Sequence, residues 1–248
     1  MLLILGLVGA WWSALANPQR LVVVSTILHT QTEVYIYRMG NAGDPAHIVY
    51  LTDGEKLMQQ GFEKKIKEIC RERNLTSAYF VFVSSVDLVS QIDQRNVYFF
   101  CNEQYVEFFE QELIPATEQI IGQTFAPAHR ILLGISFGGL NAAWFSAQSS
   151  AFKNYALLSP ITYPCPALHA AIVFSENKDL KLFLSTGLND AENYVQPLIK
   201  IYETKSYQLV LKETTGGHDF DNWQQQMASV LAYFFEGNLT TRSSENRE

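Results

Sequence analysis

Gly134-Ile135-Ser136-Phe137-Gly138 sets a hydroxyl between two glycines, at the junction of two differently patterned segments. Arg130-Ile131-Leu132-Leu133 ahead of it is apolar and β-compatible. Gly139-Leu140-Asn141-Ala142-Ala143-Trp144-Phe145 behind it is small, apolar and helix-compatible. A strand–turn–helix junction of this kind holds a serine in strained backbone geometry with its hydroxyl out for attack. The glycines leave room for the sharp turn. An ordinary glycine turn is the competing reading, and the flanking strand and helix patterns favour the nucleophile.

A serine hydroxyl is a poor nucleophile until a neighbouring base takes its proton. Gly216-Gly217-His218 follows a strand-like run at Tyr207 to Leu211 and precedes the last helical pattern, so His218 is the candidate base. His29, His47 and His129 precede the serine in the chain, and His169 falls in the loop region before the strand-like run that leads to the acid. For the carboxylate that would steady the imidazole, Leu182-Phe183-Leu184-Ser185-Thr186-Gly187 runs into a turn and Asp190 follows. Glu192, two residues on, competes with it, and a cap of the following helix is the other reading of Asp190, which is favoured as the acid. Asp219 and Asp221 read as solvated loop charges or caps of the helix around Trp223.

The elements that must position these groups follow from periodicity. Leu21 to Leu28 and Glu33 to Arg38 alternate and are β-branched, which predicts an antiparallel hairpin turning at His29-Thr30-Gln31-Thr32. Further strands are predicted at His47 to Leu51, Ala78 to Val83, Arg130 to Leu133, Tyr155 to Leu158, Leu180 to Ser185 and Tyr207 to Leu211. Between them, helical spacing marks Lys56 to Arg73, Asn102 to Ile121, Glu192 to Lys205 and Trp223 to Phe235, with Pro115 expected to kink or end the second.

Strands alternating with helices imply a mostly parallel eight-stranded sheet covered on both faces, with the hairpin as its antiparallel edge. A serine after the fifth strand, an acid after the seventh and a histidine after the eighth make this the α/β-hydrolase layout. About twenty residues lie between Ser159 and Asp179, too few for a large lid domain. The same layout assigns the oxyanion donors to the backbone N–H of Phe137 and to that of Glu55 in Asp53-Gly54-Glu55. A plain Asp-Gly turn ahead of a helix fits the second position as well.

Bulk properties bound the remaining choices. The chain has 248 residues, 48% of them hydrophobic, and no linker-like stretch or internal repeat divides it. One domain over residues 17–240 with a polar tail at 241–248 is expected. A net charge of −7 argues against a nucleic-acid partner. Met1 to Ala16 is apolar and closes with Ala14-Leu15-Ala16, which predicts an export signal cleaved after Ala16, no stable membrane insertion thereafter, and a periplasmic or secreted destination. A buried first strand or an uncleaved anchor are the alternatives. Cys70, Cys101 and Cys165 lack metal or redox spacing and read as small buried hydrophobes, a single disulfide being the other option. Asn74-Leu75-Thr76 and Asn238-Leu239-Thr240 fit the glycosylation acceptor pattern. No metal or organic cofactor is implied, and nothing sets the oligomeric state.

With these positions assembled, the chain resembles the esterase family that includes enterochelin-esterase-type hydrolases, esterase D and the mycolyltransferases. The resemblance runs from Ser25 to Phe235. It rests on the opening hairpin, on Tyr50-Leu51-Thr52-Asp53-Gly54-Glu55, on Glu112-Leu113-Ile114-Pro115, on the serine turn and on Gly216-Gly217-His218-Asp219. It implies a serine esterase acting on a small-molecule ester through an acyl-enzyme, with Ser136 as nucleophile, His218 as base and Asp190 as acid. Some members carry a charged residue at the position of Tyr98, and the family varies at its acid. An acyltransferase using the same three residues, or a silent binding domain on the same fold, are the rival readings.

Overall fold

Backbone pairing follows the alternation closely from the first strand onward. The computed structural model describes residues 18–188 and 190–236. The predicted export signal, the Asn238 acceptor and the tail at 241–248 lie outside the described residues. Gln19–Val24 (β1) pairs antiparallel with Gln31–Met39 (β2), so the connection at residues 25–30 is wider than the predicted turn. Its cause is remote. Ser25 Oγ, Thr26 N–H and Thr26 Oγ donate to the Glu112 carboxylate at 2.5, 2.8 and 2.6 Å, which takes residues 25 and 26 out of the ladder.

His47–Leu51 (β3), Ala78–Asp87 (β4), Arg130–Ile135 (β5), Asn154–Leu158 (β6), Lys181–Gly187 (β7) and Gln208–Thr214 (β8) complete an eight-stranded sheet. Its order is β1-β2-β4-β3-β5-β6-β7-β8, with β3 to β8 parallel and β2 antiparallel to β4. In β4 the run Phe80-Val81-Phe82-Val83 is buried on both faces: Phe80 and Phe82 enter one core, Val81 and Val83 the other. Period-two side-chain direction divides one apolar run between two layers. β4 extends past Val83 because buried Ser84 and Ser85 continue it, polar residues that end the apolar pattern in the sequence.

Helices Gly54–Gln59 (α1), Phe62–Glu72 (α2) and Phe220–Phe235 (α9) supply the core on one face, through Leu57, Ile66, Ile69, Trp223 and Met227. The predicted single helix from Lys56 is two, broken at Gly61, whose φ of 77° ends one turn and starts the next. Arg95–Phe99 (α3), a stretch whose sequence shows no helical spacing, and Glu103–Phe108 (α4) cover the other face with Phe137–Gln148 (α6) and Glu192–Glu203 (α8). Pro115 neither ends nor breaks its helix. The backbone stays helical from Glu103 to Ile121, and a wider turn at Phe109–Leu113, directly before Ile114–Ile121 (α5), gives the proline ring and its missing N–H room in the preceding turn. Leu168–Phe174 (α7) forms a short helix, so His169 is helical and half-buried rather than in a loop. Among the described residues no large lid rises over the C-terminal strand ends, and no helix is long and apolar enough to cross a membrane.

Cys101 and Cys165 are joined in a disulfide across 64 residues of chain, with Cα atoms 5.8 Å apart, and Cys70 is a buried free thiol. The expectation of three unpaired cysteines is therefore corrected. Sequence spacing carries no information on which strand ends and loops fold together. Closing a loop of this length restricts the unfolded chain, and Cys165→Ser is expected to lower unfolding free energy by roughly 2–4 kcal/mol, read from the urea midpoint. An unchanged midpoint would show that the bridge adds nothing.

Candidate active site

Every group singled out in the sequence leaves the C-terminal end of a parallel strand. Asp53 follows β3, Ser136 follows β5, Asp190 follows β7 and His218 follows β8. Ser136 has φ 58° and ψ −117°, the strained geometry its flanking glycines allow. A Cβ on Gly134 would lie 1.8 Å from the Gly138 carbonyl oxygen, and one on Gly138 would lie 2.8 Å from Thr52 Oγ1, so the turn closes only without side chains there. Ser136 N–H donates to the Leu158 carbonyl at 2.9 Å, and its own carbonyl accepts from Leu140 N–H at 3.1 Å, tying strand to helix. The hydroxyl thus sits at the N-terminus of α6, where the backbone dipole favours negative charge.

The β7 and β8 loops are pressed together by glycines. A Cβ on Gly187 would lie 2.0 Å from the Gly216 carbonyl oxygen. Asn222 then clamps the second loop: its Nδ2 donates to the Gly217 carbonyl at 2.8 Å, and its N–H donates to Asp219 Oδ1 at 2.8 Å. Asp219 is the helix cap, one of its two readings in the sequence. The outcome is a chain of contacts. His218 Nε2 lies 2.9 Å from Ser136 Oγ, and His218 Nδ1 is hydrogen-bonded to Asp190 Oδ1. It is Asp190 that reaches the imidazole; Glu192 opens the following helix.

Ser159 and, through it, Trp223 steady the carboxylate, and the sequence pattern marks neither for this part. Asp190 Oδ2 accepts from Ser159 Oγ at 2.5 Å and from Gly187 N–H at 3.1 Å, and its side chain is fully buried. Ser159 Oγ in turn accepts from Trp223 Nε1–H at 3.0 Å, and the Trp223 ring meets the His218 ring edge-on, centroids 4.8 Å apart. Ser159 also has positive φ, at 45°. A polar residue closing an apolar strand is common, so nothing local distinguishes it; only its neighbours across the sheet do.

A cavity of about 350 Å3 opens at Ser136 and His218, with Leu57, Ile135, Phe220 and Trp223 as apolar walls. Asp53, Lys56 and Arg95 form its polar side. Arg95 Nε donates to Asp53 Oδ2 at 2.7 Å while the guanidinium lies 5.0 Å from the Phe137 ring centroid. Glu55 turns its side chain away, accepting from Ser85 Oγ at 2.9 Å and Ser85 N–H at 3.0 Å. Tyr98 is buried, stacked on Tyr105 at 4.7 Å with its hydroxyl 3.1 Å from Thr30 Oγ1, and does not line the cavity. Among the described residues no group of three or more His, Cys, Asp and Glu side chains is arranged to hold a metal ion.

A family model described as Putative esterase matches residues 25–234. The chain belongs to that family. The enterobactin esterase of Shigella flexneri, solved in the presence of enterobactin, is similar in fold, with a TM-score of 0.77 at 19% identity, over 88% of this chain and 60% of that one. The chain thus spans 60% of the length of that enzyme. An IroE-like serine hydrolase from Shewanella oneidensis gives a TM-score of 0.69 at 16% identity over 89% and 80% of the two chains. The BES protein from Bacillus cereus gives 0.67 at 16% over 88% and 96%. No curated protein sequence matches.

Asp53, on the polar side of this cavity, is an acid whose titration burial shifts. Burial pushes the Asp53 carboxyl up from 3.8 to about 6, although Arg95 and then Lys56 pull against it. The folded state therefore holds this proton more tightly than the unfolded chain, and the contribution of Asp53 to stability falls as pH rises from about 4 to about 6. Asp53→Asn is expected to flatten the thermal midpoint against pH across that window. A wild-type profile that already lacks a falling component there would contradict the assignment.

Proposed function

We propose that the protein is a serine esterase that cleaves carboxylic esters through an acyl-enzyme. The observation that carries this reading is the single line of contacts from Ser136 Oγ through the His218 ring to Asp190. Ser136 Oγ attacks the ester carbonyl while His218 Nε2 takes its proton. The imidazolium so formed is stabilised by Asp190 and returns the proton to the leaving alcohol. Water then repeats the sequence on the acyl-enzyme and releases the acid.

Charge on the tetrahedral oxygen needs two donors. The N–H groups of Phe137 and Glu55 each lie in the first turn of a helix, where backbone donors have no intrahelical acceptor. The Glu55 side chain, held by Ser85, leaves its backbone free for this part. The substrate is a small or medium acyl ester. Siderophore-type esters fall in this class, in keeping with the fold shared with the enterobactin esterase of Shigella. Export fits the disulfide, since such bonds persist in oxidising compartments.

A fluorophosphonate probe tests the reading directly. A covalent adduct on Ser136, absent in Ser136→Ala, is the expected result. The absence of any Ser136-dependent adduct, together with no turnover of p-nitrophenyl esters, would leave a silent domain on the same fold.

A further inference from the structure

Phe137 carries one of the two backbone donors assigned to the tetrahedral oxygen, and its ring is half-buried. Phe100, Tyr163 and Arg95 meet that ring. The Phe100 ring stands edge-on with centroids 4.9 Å apart, the Tyr163 centroid is 6.1 Å away, and the Arg95 guanidinium lies at 5.0 Å. Arg95 opens α3 and Phe100 closes it, whereas Tyr163 belongs to the connection between β6 and α7. Cys101 follows Phe100 directly, and Cys165 stands two residues beyond Tyr163. Their disulfide therefore ties the two walls together right beside their contacts with Phe137.

Among the described residues no hydrogen bond or ion pair links residues 95–101 to residues 160–167. Each wall has its own anchor instead. Asn102 Oδ1 accepts from Tyr105 N–H at 3.1 Å and starts α4 just past Cys101, while Ile161 N–H donates to the Ser136 carbonyl at 3.3 Å. Between those anchors Tyr163 is 64% exposed, so burial does little to fix it. Cys101 has φ 57°, a conformation that is costly for a residue with a side chain and persists where its surroundings over-determine it. The bond to Cys165 supplies that constraint. Cys70 lies in the core on the opposite face of the sheet, out of reach of either sulfur in the folded chain.

We propose that the Cys101–Cys165 bridge is a positioning device for catalysis: it fixes Phe100 and Tyr163 about Phe137 and thereby holds the Phe137 N–H at the tetrahedral oxygen. The proposal rests on the acyl-enzyme reading above. A preorganised donor acts on charge that develops only in the transition state, so loosening it lowers kcat and leaves substrate affinity nearly as it was. Neither cysteine lines the Ser136 cavity, and the effect runs entirely through the aromatic walls. The same bond couples full activity to an oxidising compartment.

Reduction of the native protein by a trialkylphosphine, followed by removal of the reagent and anaerobic assay with p-nitrophenyl butyrate, tests this. Phosphorus attacks the sulfur of Cys101, the more exposed of the two residues, and Cys165 leaves as a thiolate that takes up a proton. Water then releases the Cys101 thiol and leaves with phosphorus as the phosphine oxide, so two electrons pass from phosphorus to the sulfurs. Assayed well below the thermal midpoint of the reduced form, kcat should fall about 10- to 100-fold while KM stays within about threefold. Reoxidation by a disulfide reagent should restore the rate, and the double variant Cys101→Ser, Cys165→Ser should match the reduced protein. Should the reduced form or that variant fail to fold, Phe100→Ala with the bridge intact carries the comparison, with an expected loss of about tenfold in kcat and KM kept. An unchanged kcat in reduced protein whose thermal midpoint has dropped would make the bridge a stability staple alone and overturn the proposal. A raised KM with kcat kept would overturn it in favour of a part in substrate binding. Turnover that survives Ser136→Ala in the oxidised protein would overturn the acyl-enzyme reading itself, and this proposal with it.

Discussion

Ser136→Ala is expected to lower kcat for p-nitrophenyl esters by a factor on the order of 10^6, and His218→Ala by a similar factor, because the two groups act as one unit. The loss should not come from unfolding. Alanine tolerates φ 58° no better and no worse than serine, and the hydroxyl makes its contact with the partly exposed His218, not with the core. Thermal midpoints of both variants should therefore stay near that of the parent, while turnover falls to background. The double variant should be no slower than either single one. Substantial turnover in Ser136→Ala would exclude an acyl-enzyme on this residue, whatever the family.

Asp190→Asn ranks second, with an expected loss of about 10^4 in kcat. The amide keeps the shape of the carboxylate but offers the imidazole a donor, so His218 is held in the wrong tautomer and the charge formed on it is not compensated. Burial sharpens the effect: the side chain has no exposure, and water cannot replace what the carboxylate supplies. Glu192→Gln measured beside it decides between the two candidate acids, and should leave kcat/KM near the parent value. A large loss on Glu192→Gln with a small one on Asp190→Asn would reverse the assignment. Trp223→Phe keeps the ring against His218 but removes the N–H that orders Ser159. One hydrogen bond of about 1 kcal/mol separates it from the parent, so its loss should stay within about tenfold.

The acid itself is open in the sequence for a definite reason. Asp190 and Glu192 are two residues apart at a strand end, and which of them meets His218 depends on how the β7 and β8 loops approach. That approach is set by Gly187 against Gly216, two residues 29 apart in the chain whose lack of side chains permits the contact. Ser159 and Trp223 are invisible there for the same reason, since their partners lie across the sheet. The wide connection after β1 owes its shape to Glu112, and the extra length of β4 to serines buried under the β3 loop.

What the sequence determined by itself was whatever the backbone dictates locally. Side-chain periodicity of two or 3.6 marks strands and helices, and chain order then gives the layered sheet and its topology. Glycines on either side of Ser136 mark a turn that no other residues permit. Tertiary structure alone decided which carboxylate faces the imidazole and that Cys101 meets Cys165. Each of these joins groups far apart along the chain, and an unfolded segment contains no trace of a neighbour that only packing brings near.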